Sequence, residues 1–440
     1  MKGNKTLSFI AAKAFLNRKE KFTSLAHLLN KEMFVDCFNS LNPRKAIGID
    51  GISVAEYGKN LDANVSQLVT LMKSKEWRPE PVRRVYIPKP GKDEKRPLGI
   101  PSTQDKIVQE GVKRILESIY EQDFLPCSHG FRPNKSCHTA LKSLNECLAK
   151  KRVNFVVEVD IRKFFDNVSH CWMLRCLKER ISDPNFLWVI ERFLKAGVME
   201  NGNLTASEQG TPQGGIVSPL LANIYLHFVL DLWFEKIFRK SSSCFMELIR
   251  YCDDFVVCFE SEKDAIRFQV ELRNRLSKFK LEVAEDKTRL IEFGKYCWKR
   301  HKQKGTKGAT FNFLGFTHYM GTSRGGFYVP GHKTSKENLR RKLRDMKDWL
   351  RKIRSAAPLS DWRPVFNAKL RGHFNYFGVS GNMRSMRQFQ WQCTSMLFKW
   401  LNRRSQKKSF TWATFAEYLS RFPIPKPMIC HRLFELKPKS

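Results

Sequence analysis

The chain has 440 residues, with 79 Lys+Arg against 43 Asp+Glu and a formal charge of +36. At roughly 150 residues per domain the length suits about three structural units. With 42% apolar and 12% aromatic residues the chain can bury a substantial core, which excludes global disorder. The charge gathers at one end: residues 295–440 carry 32 Lys+Arg and 6 Asp+Glu, whereas the other 294 residues carry 47 and 37. So basic an end implies a polyanionic partner.

Lys and Arg interrupt the apolar residues after Ile10, so no secretory signal is expected at the start. The Gly48-Ile49-Asp50-Gly51 segment reads as a turn before a new element. Val82–Ile87 alternates as a strand and runs into the turn Pro88-Lys89-Pro90-Gly91. Over residues 104–119, Ile107, Val108, Val112, Ile115, Leu116 and Ile119 recur at helical spacing. That face is expected to pack on a sheet, with Gly111 allowing close approach. Asn154–Val159 reads as a strand ending at Asp160, and residues 170–195 as helix broken near Asp183-Pro184.

Ile216–Phe234 is the longest apolar stretch, but Pro219, Asn223, His227 and Asp231 interrupt it. It therefore predicts a core helix over Pro219–Phe238 and no membrane partner. Ile249–Phe259 is rich in β-formers around Tyr251-Cys252-Asp253-Asp254, the pattern of a hairpin with an acidic tip or of a strand with polar residues. Residues 261–279 form an amphipathic helical pattern. Beyond Gly315 come two long basic helices, 336–354 and 383–402. In the second, Met386, Phe389, Cys393, Met396, Leu397 and Trp400 make a packing stripe that leaves Arg384, Arg387, Lys399, Arg403 and Arg404 for phosphate. The 12 cysteines are scattered without paired zinc-ligand spacing. They read as buried thiols of a reducing compartment, hence a cytoplasmic, nucleoid-associated protein.

The acidic points carry the chemistry. A carboxylate at a strand end, Asp160, opposite one at a hairpin tip, Asp253, can hold two Mg²⁺ ions, with Mn²⁺ a possible substitute. Side chains alternate along a strand, so Asp253 and Asp254 are not equivalent. Asp160 and Asp253 are the expected central pair and Asp254 the supporting ligand, with the Ile161 carbonyl as a further oxygen. Taken alone, each acidic point reads equally well as a turn cap.

Ordered blocks surround these acids: Arg83–Lys89 with Lys95–Pro101, His129-Gly130-Phe131-Arg132-Pro133, Val159–Asp166, Gly210-Thr211-Pro212-Gln213-Gly214-Gly215, Tyr251–Asp254 and Phe313-Leu314-Gly315-Phe316. In this the chain resembles the reverse transcriptases encoded by bacterial group II introns, the intron-maturase family, from about residue 40 to about residue 420. The resemblance implies an α+β right-hand polymerase with fingers, palm, an α-helical thumb and a basic C-terminal DNA-binding extension. Its expected bounds are an N-terminal extension over 1–50, mainly fingers over 51–150, and mainly palm with part of the fingers over 151–330. The thumb or maturase region then takes 331–402 and the DNA-binding extension 403–440.

Carried over by residue, the resemblance makes Asp160, Asp253 and Asp254 metal ligands and sends Lys89, Arg96 and Lys287 to the triphosphate. It makes Phe165, five positions after Asp160, the ring that excludes a 2′-hydroxyl, and puts Gln213 beside the nucleotide. Arg371, in the block Leu370–Asn382, joins the basic helices as a nucleic-acid contact. The implied partners are dNTPs, a DNA primer or target, and group II intron RNA or another RNA template. Cys252 replaces the family's usual alanine, and the cysteine–histidine pattern of an HNH endonuclease is not found after Cys430-His431. Three functions fit: an RNA-directed DNA polymerase, a splicing maturase with or without strong polymerase activity, and a domesticated relative serving DNA repair or phage defence. Phe165 disfavours RNA synthesis.

Overall fold

A computed structural model describes residues 2–88, 95–200, 203–205, 209–210, 214–323, 325–404 and 409–434. Its centre is a four-stranded antiparallel sheet of β3 (Phe155–Val159), β6 (Met246–Tyr251), β7 (Asp254–Phe259) and β8 (Arg289–Glu292), in the order β6-β7-β3-β8. The two-residue side-chain period of these strands divides two cores. Val157, Val159, Leu248, Phe255, Val257 and Phe259 face one core, shared with Ala265 and Phe268 of the Glu262–Lys278 helix. Val156, Ile249, Val256, Cys258 and Ile291 face the other, with Leu141 and Leu144 of the Cys137–Lys150 helix. Burial on both faces explains why β7 is apolar throughout after Asp254.

A second sheet, ordered β2-β1-β4-β5, contains the hairpin β1 (Val82–Pro88) and β2 (Lys95–Ile100), extended by β4 (Val198–Glu200) and β5 (Asn203–Thr205). A third sheet joins β9 (Phe311–Phe313), β10 (Phe316–Thr322) and β11 (Tyr328–Thr334). Three long helices follow, Lys336–Ile353, Leu359–Phe377 and Met383–Leu401. Met386, Phe389, Cys393, Leu397 and Trp400 pack into the second core, while Met396 is half-buried against it. The expected stripe is therefore a packing face. The molecule is a mixed α+β fold.

Two sequence expectations need correction. The apolar face of the Thr103–Tyr120 helix meets other helices, Lys2–Leu16 and Lys31–Ser40, and not a sheet. A Cβ on Gly111 would lie 3.1 Å from the Leu29 side chain, so the close approach is to a helical layer. Nearly every side of this helix is buried, and periodicity cannot identify the partner of such an element. The Pro219–Phe238 segment is also not one α-helix. It runs as α-helix over Ser218–Leu226 and then widens into π-turns over His227–Asp231 and Phe234–Phe238. All twelve cysteines are free thiols. Among the described residues no helix is long and apolar enough to cross a membrane.

Candidate active site

The acidic residues meet at one end of the central sheet. β3 and β7 pair with Val159 opposite Phe255, so the next step of the antiparallel register sets Asp160 beside Asp254. β6 and β7 close through a two-residue turn, Cys252-Asp253, with Tyr251 paired to Asp254. Cys252 turns the chain in the left-handed region at φ 59°. The hairpin with an acidic tip is thus present.

Electrostatics records the crowding. Burial raises the Asp253 carboxyl above its ordinary range; the Asp160 charge adds to this and Arg96 opposes it. Asp254 opens to water inside a cleft. Desolvation by the cleft walls, then the charges of Asp253, Asp160 and Glu158, raise its carboxyl to about 7, partly offset by a hydrogen bond from the Leu314 backbone. Lys287, delivered by the turn in which its N–H bonds to the Ala284 carbonyl, pairs with Asp160. It therefore sits at the carboxylates.

Beyond Asp160 the backbone bridges Ile161 to Val283. Its two bonds run from Ala284 N to Asp160 O and from Arg162 N to Glu282 O, both 2.8 Å, so neither uses the Ile161 carbonyl. Lys163 then turns left-handed at φ 43° and starts the short helix Phe164–Asn167. Phe164 is buried, whereas Phe165 is half-buried at the rim. Gly210 packs behind it: its carbonyl bonds to His170 Nε2 at 2.6 Å, and a Cβ there would lie 3.0 Å from the Phe165 carbonyl oxygen. Gly214, at φ 111°, abuts Gly99 of β2, where a Cβ would lie 2.6 Å from the carbonyl oxygen. Two of the ordered blocks therefore meet by backbone contact that a side chain would obstruct. Gln213 and Lys89 lie outside the described residues.

A cleft of about 980 Å³ opens beside Asp254, with Arg96, Arg341, Lys342, Lys369 and His373 also on its wall. The sequence reading missed the last four, because helical periodicity does not reveal which basic face looks onto another element. Burial pushes the His373 imidazole down to about 3, which keeps it neutral against the basic wall. Tyr376 bonds from its hydroxyl to the Leu314 carbonyl at 3.1 Å, fastening the Phe313–Phe316 block to the helix. Arg371, Arg384, Arg387 and Arg403 are exposed. Arg404 is partly committed within the fold, its Nε donating to the Arg354 carbonyl at 3.1 Å.

The three aspartates do not form a group whose ligand oxygens all lie within 4.8 Å of one another. Among the described residues Glu292, Cys297 and His301 do. There Arg300 already pairs with Glu292, and burial raises the Cys297 thiol away from its ligating form.

Residues 87–318 match the family model described as "Reverse transcriptase (RNA-dependent DNA polymerase)". The class is therefore a reverse transcriptase. The chain is 30% identical to the group II intron-encoded protein LtrA of Lactococcus lactis subsp. cremoris, over 85% of this chain and 73% of that protein. It is 34% identical to the protein YkfC of Escherichia coli K12, over 55% of this chain and 71% of that one. It is also 28% identical to the nuclear intron maturase 4, mitochondrial, of Arabidopsis thaliana, over 30% of this chain and 16% of the maturase. The chain belongs to the group II intron-encoded reverse transcriptase/maturase family and is an RNA-directed DNA polymerase of that type. Enzymes of this class use Mg²⁺.

Proposed function

We propose that Asp160, Asp253 and Asp254 are the metal-binding catalytic residues of this reverse transcriptase. The carrying observation is that three carboxylates from two distant segments crowd one sheet end, raising the proton affinity of Asp253 and Asp254. Hard carboxylate oxygens suit Mg²⁺, and the Ile161 carbonyl supplies a further oxygen. When bound, two such ions lower the pKa of an attacking hydroxyl and stabilise the leaving phosphate oxygens.

The reaction is attack of a primer 3′-hydroxyl on the α-phosphate of a dNTP, with pyrophosphate leaving. Arg96 and Lys287, with Lys89 from the β1–β2 connection, hold the triphosphate by charge. Phe165 floors the sugar site and excludes a 2′-hydroxyl, and Gln213 contacts the nucleotide. In this reading the central sheet is a palm, the β1–β2 hairpin belongs to fingers, and the three long helices form a thumb followed by a DNA-binding extension. The domain bounds given above follow. The test is extension of a primed RNA with dNTPs and Mg²⁺. Wild type extends and Asp253→Ala does not; equal extension by both overturns the assignment.

The basic C-terminal third supports a second role on group II intron RNA. Arg371, Arg384, Arg387 and Arg403 present charge that suits a wide A-form minor groove lined by phosphates. The protein then promotes splicing of its RNA at near-physiological Mg²⁺. Equal splicing with and without protein overturns that role and leaves a polymerase freed from its intron.

A further inference from the structure

Arg250 is the penultimate residue of β6, two positions before the Cys252-Asp253 turn, and is fully buried. A buried guanidinium is costly unless each of its five N–H groups finds an acceptor. Here each does. Nε donates to Asp231 Oδ1 at 2.8 Å, and Nη2 donates to Asp231 Oδ2 at 2.5 Å and to Ser128 Oγ at 2.8 Å. Nη1 donates to Asn223 Oδ1 and to the Cys252 carbonyl, both at 2.9 Å. Asp231 is as fully buried as its partner and comes from the first π-turn after the Ser218–Leu226 helix. Burial opposes the charge, but the Asp231 carboxylate outweighs it and raises the guanidinium above its ordinary pKa.

The Cys252 carbonyl is the contact with chemical consequence. It belongs to the peptide group that leads into Asp253, at the left-handed residue of the turn. The same turn is held from behind. Gly130 packs so closely that a Cβ would lie 2.5 Å from Cys252 N, and the Gly130 carbonyl accepts from Asn223 Nδ2 at 2.6 Å. The segment entering Gly130 is laced to β6 by Arg250 N to Cys127 O at 2.8 Å and His129 N to Arg250 O at 2.9 Å. One planar cation thus ties a helix, a π-turn and an edge segment to the carbonyl that orients the Asp253 peptide.

We infer that Arg250 is a positioning residue: with Asp231 and Asn223 it fixes the Cys252–Asp253 peptide, and so the direction in which the Asp253 carboxylate meets metal. The inference rests on Asp253 being a metal ligand, as proposed above. Packing alone does not require the pair, since apolar residues of similar volume can replace a buried ion pair without loss of stability. Lysine cannot substitute either, because it offers three donors on a flexible stem in place of a planar fork.

The experiment compares wild type, Arg250→Lys, Arg250→Met and the double variant Arg250→Met/Asp231→Leu in primer extension over a Mg²⁺ titration, with melting followed in parallel. Arg250→Met alone strands the Asp231 charge and melts early, whereas the double variant melts near wild type. Both Arg250→Lys and the double variant lose kcat roughly 10- to 100-fold. Their half-saturating Mg²⁺ rises about tenfold, as for other groups that orient a metal ligand, while KM for dNTP stays near wild type. Wild-type kcat and Mg²⁺ dependence in either folded variant overturns the inference, as does a loss that only tracks the fraction unfolded. Asp253→Ala is run alongside. Activity surviving in Asp253→Ala breaks the metal-ligand assignment itself, a different outcome from Arg250→Lys behaving as wild type.

Discussion

Replacing Asp254 by Asn should make the protein more stable while abolishing its chemistry. Asp254 has Asp253 before it in the chain, Asp160 across the register, and Glu158 near, and its carboxyl is raised from 3.8 to about 7. Three units at about 1.4 kcal/mol each set an upper bound near ~4 kcal/mol. The side chain is open to water, so solvent screening reduces this to roughly 1–2 kcal/mol. The sign follows from linkage: an acid with a raised folded-state pKa lowers stability once the unfolded chain releases the proton more readily than the folded one. The cost is absent below the unfolded value of 3.8, grows as pH rises, and is complete above about 7. In chelator at pH 8, Asp254→Asn should therefore melt a few degrees above wild type. The gain should shrink steadily from pH 7 towards pH 4. Thermal unfolding of both proteins at several pH values measures it, and primer extension with Mg²⁺ measures the accompanying loss. A gain independent of pH, or no gain at pH 8, refutes the claim that repulsion and desolvation at this sheet end raise the Asp254 carboxyl.

Gly130→Ala places a Cβ 2.5 Å from the Cys252 backbone. It should cost about 1–3 kcal/mol through overpacking and lower extension at least tenfold, read by denaturation and a single-turnover assay. Phe165→Val should open the sugar site, and the dNTP-to-rNTP incorporation ratio should fall by about tenfold or more if the ring acts by bulk; an unchanged ratio removes it from the sugar site. The double variant Arg384→Gln/Arg387→Gln should flatten the log–log salt dependence of RNA binding by roughly 1.4–1.8 if each arginine neutralises one phosphate. An unchanged slope places the RNA elsewhere.

The hairpin was legible because two β-rich runs bracket an acidic turn, and Asp160 because it ends a third such run. Local pattern carries that much. The Arg250–Asp231 pair was not legible as a pair. Nineteen positions separate its members, and each alone reads as an ordinary surface charge. The signal was nonetheless present: Asp231 interrupts the longest apolar stretch of the chain and Arg250 sits inside a run of β-formers. Two lone opposite charges in apolar runs are costly unless they meet. The neighbours of the Thr103–Tyr120 helix were hidden for the opposite reason, since a helix buried on nearly every side has no single face to assign. The basic cleft wall needed tertiary structure, because Arg341, Lys342 and Lys369 differ from other basic residues only in what their helices face.

The acidic sheet end and the basic cleft are best understood as one electrostatic arrangement. In the proposed site nucleic acid would bring phosphates to a point where three carboxylates repel them, and those carboxylates would have to ionise to hold a divalent cation. Arg341, Lys342 and Lys369 place positive charge along the wall shared with Asp254, while Arg96 and Lys287 place it at the acids themselves. The Asp160–Lys287 pair lowers the net negative charge at the sheet end. In the proposed site Asp160 would hold a divalent cation, and the neighbouring Lys287 ammonium would supply positive charge for phosphate. Under the proposed function the basic residues of the cleft wall would receive the nucleic-acid strand, and the acids at the sheet end the metal.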